Sequence, residues 1–275
     1  MAKRSSSPAK RRQVKPDKFL IFAVSALAFL LLAAPVVVLL VNGVGSRAWE
    51  GLPDSATILS AAVLSFASTL AVVCLAAILG TPLAYVLSRY EFKGKRLISL
   101  FIELPIVMPP AVAGLALLLT FGRRGAIGSF LADAGIIIPF SILAVILAQF
   151  FISAPFYIRS AQVGFSSIAA EIEDAARVDG AYGWLMFWYI TLPIAWRALI
   201  AGMILSWARA LGEFGATILF AGNLQGKTQT MPLLVYSVFE RDINAAIWTG
   251  LILIVLALIA LALSQFLARS QDKMN

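Results

Sequence analysis

The stretch EIEDAARVDGAYGWLMFWYITLP, residues Glu171–Pro193, begins polar and ends apolar. It lies in a chain of 275 residues of which 61% are hydrophobic, with a mean hydropathy of +0.91. Soluble domains are closer to about half apolar, so the excess predicts surface that faces lipid. A short acidic helix with small residues, set between apolar segments, is typical of a surface that docks on a partner. The stretch therefore predicts a membrane protein that works with a separate protein.

Apolar windows long enough to cross a bilayer, about 20 residues each, occur six times in the chain. They cover roughly residues 19–41, 56–87, 97–121, 136–156, 194–220 and 243–267. We therefore expect an all-α, polytopic membrane protein with six transmembrane helices. A basic tail (residues 1–18) precedes the first helix, and a short tail (residues 268–275) follows the last.

Basic residues indicate the orientation of these spans. Most of them fall in the two tails and in the second-to-third and fourth-to-fifth connections, which a six-span chain places on one side. Positive charge marks the cytoplasmic side, so both termini are predicted to be cytoplasmic. A cleaved signal peptide is the competing interpretation of the N-terminus, but its apolar run is longer than a typical signal core. The basic tail is expected to be disordered and to contact anionic lipid head groups.

Several classes of function are disfavoured by composition. The chain has no histidine, which excludes histidine metal sites and Ser-His-Asp triads. A single cysteine, Cys74, cannot form an internal disulfide. The net charge of +8 sits at the ends of apolar spans, so nucleic acid is not an expected partner. No P-loop of the form G-x-x-x-x-G-K-[ST] occurs, and we expect this chain to bind no ATP, metal or other cofactor itself.

A cytoplasmic helix is predicted within residues 166–183. Ser166 or Ser167 can cap a helix that begins near Ile168, and Gly180 suits its end. Helical spacing places one set of residues on a common face, which we predict to pack against a partner. That set is Ile168, Ile172, Ala175, Ala176 and Asp179. The alternative is a helix lying on the membrane, for which the apolar face is small and the acid content high.

The same segment resembles the EAA loop of permeases of ATP-binding-cassette importers. That motif has Glu-Ala-Ala, three residues, Gly, nine residues and Ile-x-Leu-Pro. The matching residues here are Asp174, Ala175, Ala176, Gly180, Ile190, Leu192 and Pro193. Asp174 replaces the usual glutamate, which keeps a carboxylate one methylene shorter with Glu173 beside it. The resemblance implies that these residues couple the chain to an ATPase subunit.

Other segments resemble the permeases for tetrahedral oxyanions. They are ARALGEFGAT (208–217) and FAGN (220–223), with LPIVMPPAVAG (104–114), FGRRGAIG (121–128) and GKTQTMPLLVYSVFE (226–240) closest to the molybdate branch. The resemblance covers about residues 56–264, and we take residues 56–267 as the permease core. The first predicted helix, residues 19–41, lies outside the resemblance and is an addition to that core. Sulfate or thiosulfate is the alternative substrate to molybdate or tungstate.

The resemblance further implies a homodimeric permease in the plasma (inner) membrane of a prokaryote. Two cytoplasmic ATPase subunits would carry ATP and Mg²⁺, and an extracytoplasmic binding protein would deliver the oxyanion. Transport would proceed by alternating access. An integral membrane enzyme would need converging catalytic groups that the sequence lacks. A channel or carrier acting alone would not need the Ala-Ala-x-x-x-Gly docking segment.

Charged residues inside the predicted fifth span are candidates for the pathway. Arg209 and Glu213 lie four residues apart, so they can pair on one helix face. A structural ion pair and a pathway lining both remain open as interpretations. Gly212 and Gly215 permit close backbone approach, which suits a helix crossing at the dimer axis.

Prolines interrupt the predicted third span. Pro105, Pro109 and Pro110 follow Glu103 closely, which predicts a kinked helix either near the pathway or serving only packing. At the outer side, three basic residues are candidates to contact the anion or the binding protein. They are Arg123, Arg124 and Lys227. An ordinary solvated loop is the alternative for them.

Overall fold

The computed structural model describes residues 18–45 and 51–271, and its side chains over residues 20–43 and 51–262. Within these ranges every regular element is helical, which confirms the all-α prediction. The helices are α1 (Lys18–Gly45), α2 (Ser55–Arg89), α3 (Lys95–Val107), α4 (Pro110–Phe121), α5 (Gly128–Asp133), α6 (Ile142–Ser166), α7 (Ala170–Val178), α8 (Leu192–Leu211), α9 (Gly215–Phe220), α10 (Met231–Phe239) and α11 (Ile243–Gln271). A π-helical turn, Met186–Thr191, runs directly into α8.

Five described helices are long and apolar enough to cross a membrane, and six if the bent pair α3–α4 counts as one span. The chain divides into two compact units, residues 1–47 and 48–275. The first contains α1, which is apolar on all sides and exposed within its unit. The predicted basic tail lies almost wholly outside the described residues, as does the end of the C-terminal tail.

The second unit is built around α2, α6 and α8. Small residues let these helices approach closely: a Cβ on Gly164 would meet the Ala198 side chain at 2.5 Å, and one on Gly202 would meet Ser160 at 2.8 Å. The Ser160 hydroxyl also donates to the Ala198 carbonyl at 2.8 Å. In lipid, such close packing and interhelical hydrogen bonds replace the hydrophobic effect as the main attraction between helices. Gly80 of α2 is packed in the same way against Tyr157 of α6.

The fourth span differs from the predicted window, 136–156. Helix α6 begins at Ile142, where the Ser141 hydroxyl caps it by accepting from the Ala144 amide, and it continues to Ser166. The predicted window followed hydropathy and stopped before Arg159. The helix continues because Ala161 and Phe165 beyond it are fully buried in the core. Ser166 and Ser167 therefore close α6 and do not open the next helix, which corrects the predicted cap.

Two predicted spans are broken. Helices α3 and α4 meet at an angle of 119° across Met108 and Pro109. Proline disfavours helical backbone in the preceding residue and supplies no N–H, so adjacent prolines stop one helix and start another. Helix α8 ends at Leu211 and α9 starts at Gly215, which interrupts the predicted window 194–220. The predicted kink in the third span is confirmed, whereas the continuous fifth span was wrong.

Candidate coupling and translocation sites

Helix α7, Ala170–Val178, is the helix predicted within residues 166–183, and it begins two residues later than expected. Ala169 occupies its N-cap without a side-chain hydrogen bond, while the Ser167 hydroxyl donates back to the Gly164 carbonyl. Gly180 follows the helix with a φ of 88°, in the left-handed region. This conformation lets the Ala181 amide donate to the Ala176 carbonyl at 2.9 Å, which closes the helix end. The glycine of the motif is thus a helix stop.

The faces of α7 are arranged differently from the sequence prediction. Glu173 and Ala176 are buried against the rest of the chain, while Ile172, Ala175 and Asp179 are exposed. Opposite the buried face, Glu171, Asp174, Ala175 and Val178 form the outer face, and Val178 is 88% exposed. The five residues predicted to share one partner-facing side therefore do not stay together. Ala176 and the preceding Ile168 pack inward, whereas the other three are exposed. The sequence pattern showed an amphipathic helix, but an acidic residue was not expected on its inner side.

Glu173 lies on the inner side because it has a cationic partner there. Nη2 of Arg89, the last residue of α2, lies 2.7 Å from Oε1 of Glu173. Arg177 approaches the same carboxylate at 3.7 Å and also pairs with Asp174. The contact puts the second-to-third and fourth-to-fifth connections at the same end of the unit. Sequence analysis did not identify Arg89 as a site residue, since its role depends on a contact between distant segments.

Aromatic side chains follow α7 and lead into α8. Trp184 stacks on Phe187 with ring centroids 5.9 Å apart, and Trp188 packs edge-on against both rings. Trp184, Trp188 and the neighbouring Tyr189 remain exposed. Pro193 is exposed in the first turn of α8, directly after the π-helical turn. The Ile-x-Leu-Pro part of the motif therefore joins the π-helical turn to the start of α8.

The predicted pair of Arg209 and Glu213 is present. Nη1 of Arg209 lies 2.9 Å from Oε2 of Glu213, and Oε1 of Glu213 accepts from the Ala216 amide at 2.8 Å. Glu213 thus pairs with the last turn of α8 and satisfies a free amide at the start of α9. The carboxylate is 1% exposed and the arginine side chain 31%. A buried carboxylate holds the broken span together.

The two breaks lie next to each other. A Cβ on Gly215 would meet Pro110 at 2.6 Å, and a Cβ on Gly114 would meet the Ala216 carbonyl at 2.9 Å. Glycine is needed at both positions because α9 and α4 pack too closely for a further Cβ at either one. Glu103 and Pro105 are not part of this contact: Glu103 pairs with Arg159 of α6 at 3.1 Å, and Pro105 is buried against α6.

The outer candidates Arg123, Arg124 and Lys227 are all exposed in loops. A cavity of about 580 Å³ lies between the start of α2, the loop after α9 and helix α10. Sequence analysis did not predict it. The Asn223 amide donates to the Ser237 hydroxyl at 2.6 Å, and the Gln229 amide donates to the Asn223 carbonyl oxygen at 2.9 Å. Hydrogen bonds from Thr57 lower the pKa of Asp54 at the cavity rim.

Comparison with known proteins gives a consistent result. Residues 76–273 match the family described as "Binding-protein-dependent transport system inner membrane component". The chain is 37% identical over 254 residues to the "Probable transport system permease protein NifC" of Clostridium pasteurianum, covering 92% of this chain and 88% of that one. It is 39% identical over 237 residues to the "Molybdenum transport system permease protein ModB" of Mycobacterium tuberculosis, covering 86% and 88%.

Two further proteins resemble the chain, one in sequence and one in fold. The "Sulfate transport system permease protein CysW" of a Synechocystis strain is 36% identical over 76% of both chains. A chain of a bacterial alginate ABC transporter, solved in complex with a pentasaccharide-bound periplasmic protein, superposes with a TM-score of 0.76 at 16% identity. That match covers 93% of this chain and 95% of the other, so it supports the fold alone.

Proposed function

Because the chain belongs to the family of inner-membrane components of binding-protein-dependent transport systems, we propose that it is the permease of an importer for molybdate or tungstate. The observation that carries the substrate class is the 39% identity to a molybdenum permease over 86% of the chain. Segments 208–217 and 104–114, which resemble oxyanion permeases, contain the two adjoining helix breaks. The resemblance to these permeases therefore includes a structurally specialised region.

Movement is driven by a separate subunit in this proposal. Two copies of the chain form the pathway, and two cytoplasmic ATPase subunits carrying ATP and Mg²⁺ dock on the two copies of α7. The outer face of α7 suits docking because Ala175 is small and exposed, Val178 is apolar and exposed, and Asp174 offers a carboxylate. A helix that presents small and apolar residues can enter a groove of its partner.

Force on α7 reaches the spans by two routes. Arg89 and Glu173 connect it to α2, and the segment through Pro193 connects it to α8. We propose that ATP binding draws the two copies of α7 together and turns the spans from inward-facing to outward-facing. The binding protein then releases the oxyanion to the outer side, where Arg123, Arg124 and Lys227 are candidate contacts. The termini are cytoplasmic in this arrangement, in the inner membrane of a prokaryote.

Sulfate or thiosulfate is the second candidate substrate. The 36% identity to a sulfate permease over 76% of the chain supports it. All these anions are tetrahedral dianions at neutral pH, so they place similar demands on a pathway. The molybdate assignment is preferred because the molybdenum relative matches at higher identity and over more of the chain.

Uptake of labelled molybdate tests the proposal. Cells that depend on this chain are compared with cells expressing Ala175→Trp, which places a large ring on the proposed docking face. We expect chain-dependent uptake that excess tungstate suppresses and sulfate does not. Suppression by sulfate would assign the chain to the sulfate class. Equal molybdate uptake with and without the chain would refute the assignment to a molybdate or tungstate importer.

A further inference from the structure

The two breaks form one exposed patch in the membrane-spanning part of the chain. We call it the break junction, defined by residues 108–111, by residues 212–216 and by Arg209, which pairs with Glu213. Within it Pro109, Pro110, Ala111 and Gly212 are exposed, whereas Glu213 and Ala216 are buried. Irregular backbone at membrane depth is tolerated against protein or water but not against lipid. In the assembled protein the break junction therefore faces a second copy of the chain or a water-filled space.

The two charged side chains at the break junction, Arg209 and Glu213, differ in their exposure. Glu213 is enclosed and uses both carboxylate oxygens, one on Arg209 and one on the Ala216 amide. Arg209 is about one-third exposed, and its ion pair engages Nη1. A guanidinium carries five N–H donors in a planar fork, so donors remain for a further acceptor. The fork geometry matches two oxygens of a tetrahedral or planar anion.

The other interhelical ion pairs among the described residues of the second unit lie elsewhere. Arg159 meets Glu103 between α3 and α6, and Arg89 meets Glu173 at the cytoplasmic connections. Arg209 is the cation that combines partial exposure with a position at the break junction. Its pairing with Glu213 leaves the site close to neutral before the anion arrives. A dianion is then held by directed hydrogen bonds without a large excess of positive charge, which suits release as well as binding.

On these grounds, and resting on the proposed function, we propose that Arg209 contacts the oxyanion as it passes the break junction. Glu213 acts as a positioning residue: it fixes the guanidinium and moderates its charge. The role of Arg209 goes beyond a packing ion pair because a packing pair needs no exposed guanidinium, whereas the Arg209 side chain is 31% exposed. Breaking the pair while retaining Arg209 should therefore strengthen anion binding at this site.

Reconstituted permease with its ATPase subunits and binding protein allows the test. Uptake of labelled molybdate and ATP hydrolysis stimulated by the loaded binding protein are measured on the same vesicles. Arg209→Lys keeps the positive charge but removes the planar guanidinium with its paired N–H donors. We expect stimulated hydrolysis within about twofold of wild type but at least a tenfold loss of anion moved per ATP. The matched control is Arg159→Lys, at the ion pair with Glu103 between α3 and α6, for which we expect unchanged transport per ATP.

A second variant covers the case in which Arg209→Lys fails to assemble. Glu213→Gln keeps an oxygen for the Ala216 amide but removes the counter-charge. In detergent, without the binding protein, we expect the permease–ATPase complex with Glu213→Gln to bind labelled molybdate several-fold more tightly than wild type, with slower uptake in vesicles. Addition of Arg209→Gln to this variant should abolish the extra binding.

The outcomes separate the two proposals. Two results for Arg209→Lys would assign the Arg209–Glu213 pair a purely structural role and overturn this inference alone. One is the same amount of anion moved per ATP as in wild type, and the other is an equal fall in ATP hydrolysis and uptake. Unchanged anion binding in Glu213→Gln would do the same. Wild-type vesicles that move neither molybdate, tungstate nor sulfate would overturn the proposed function and this inference with it.

Discussion

Nη2 of Arg89 lies 2.7 Å from Oε1 of Glu173, which joins the last residue of α2 to the inner face of α7. The glutamate side chain is 9% exposed and the arginine 17%, so both are largely withdrawn from water. Removing one partner of a buried ion pair leaves the other charge uncompensated. The pair therefore sets the position of α7 against the end of α2.

Replacing Arg89 by Gln tests this connection. We expect a loss of about 2 kcal/mol in unfolding free energy, since the pair is not fully enclosed and breaking buried pairs costs about 3–5 kcal/mol. The measurement is the midpoint of thermal unfolding of the purified permease–ATPase complex. Arg89→Gln combined with Glu173→Gln should recover part of the loss, and Lys95→Gln at the exposed pair with Glu91 is the control. Identical midpoints for Arg89→Gln and wild type would show that the pair does not hold α7.

Replacing Ala175 by Trp tests the outer face of α7. Ala175 is exposed, so the chain should fold and reach the membrane, while co-purification with the ATPase subunit should fall at least tenfold. Ala176→Trp is the comparison on the opposite face and should instead reduce the amount of folded protein, because Ala176 is buried. Undiminished co-purification of Ala175→Trp would place the docking surface elsewhere.

Gly180 allows a separate test of the motif glycine. Its φ of 88° disfavours any residue with a Cβ, whereas no atom lies within 4 Å of the position that a methyl group would take. Gly180→Ala should therefore cost about 1 kcal/mol through backbone strain alone. Gly180→Asn should cost less, since asparagine tolerates left-handed backbone. Thermal unfolding measures the stability lost by each variant. Equal losses for Gly180→Ala and Gly180→Asn would show that left-handed backbone is not what requires glycine at this position.

Gly215 tests the contact between the two broken spans. A methyl group there would meet Pro110 at 2.6 Å, so Gly215→Ala should force α9 and α4 apart. Overpacking of this kind costs about 1–3 kcal/mol, and we expect reduced thermal stability together with reduced uptake. Gly250→Ala is the matched control in α11, where nothing lies within 4 Å. A Gly215→Ala variant as stable as Gly250→Ala would argue against close contact at the break junction.

Arg123 and Arg124 provide an electrostatic prediction. Both are exposed at the end of α4, where they can attract an acidic surface of the binding protein. Replacing both by Gln should raise, about fivefold, the binding-protein concentration needed for half-maximal ATP hydrolysis at low salt, and the salt dependence should weaken. The maximal rate should stay unchanged. Equal requirements at low and high salt in wild type would show that these charges do not steer docking.

Much of the fold could be predicted from the sequence because lipid imposes a simple rule: long apolar segments must form helices that satisfy their own backbone. This rule predicted the first, second and last spans to within a few residues. It failed at the fourth, where Ala161 and Phe165 extend the helix past Arg159 through contacts made by distant segments. It also gave no sign of α10 or of the polar cavity beside it.

The sequence by itself determined the membrane class, the short helix between the fourth and fifth spans with its glycine stop, and the ion pair four residues apart at Arg209 and Glu213. These features depend on spacing along the chain. Only the tertiary structure decided that Glu173 turns inward to Arg89, that Ala175 is exposed while Ala176 is buried, and that Gly215 meets Pro110. Residues far apart in sequence make these contacts, and their geometry depends on how whole helices pack.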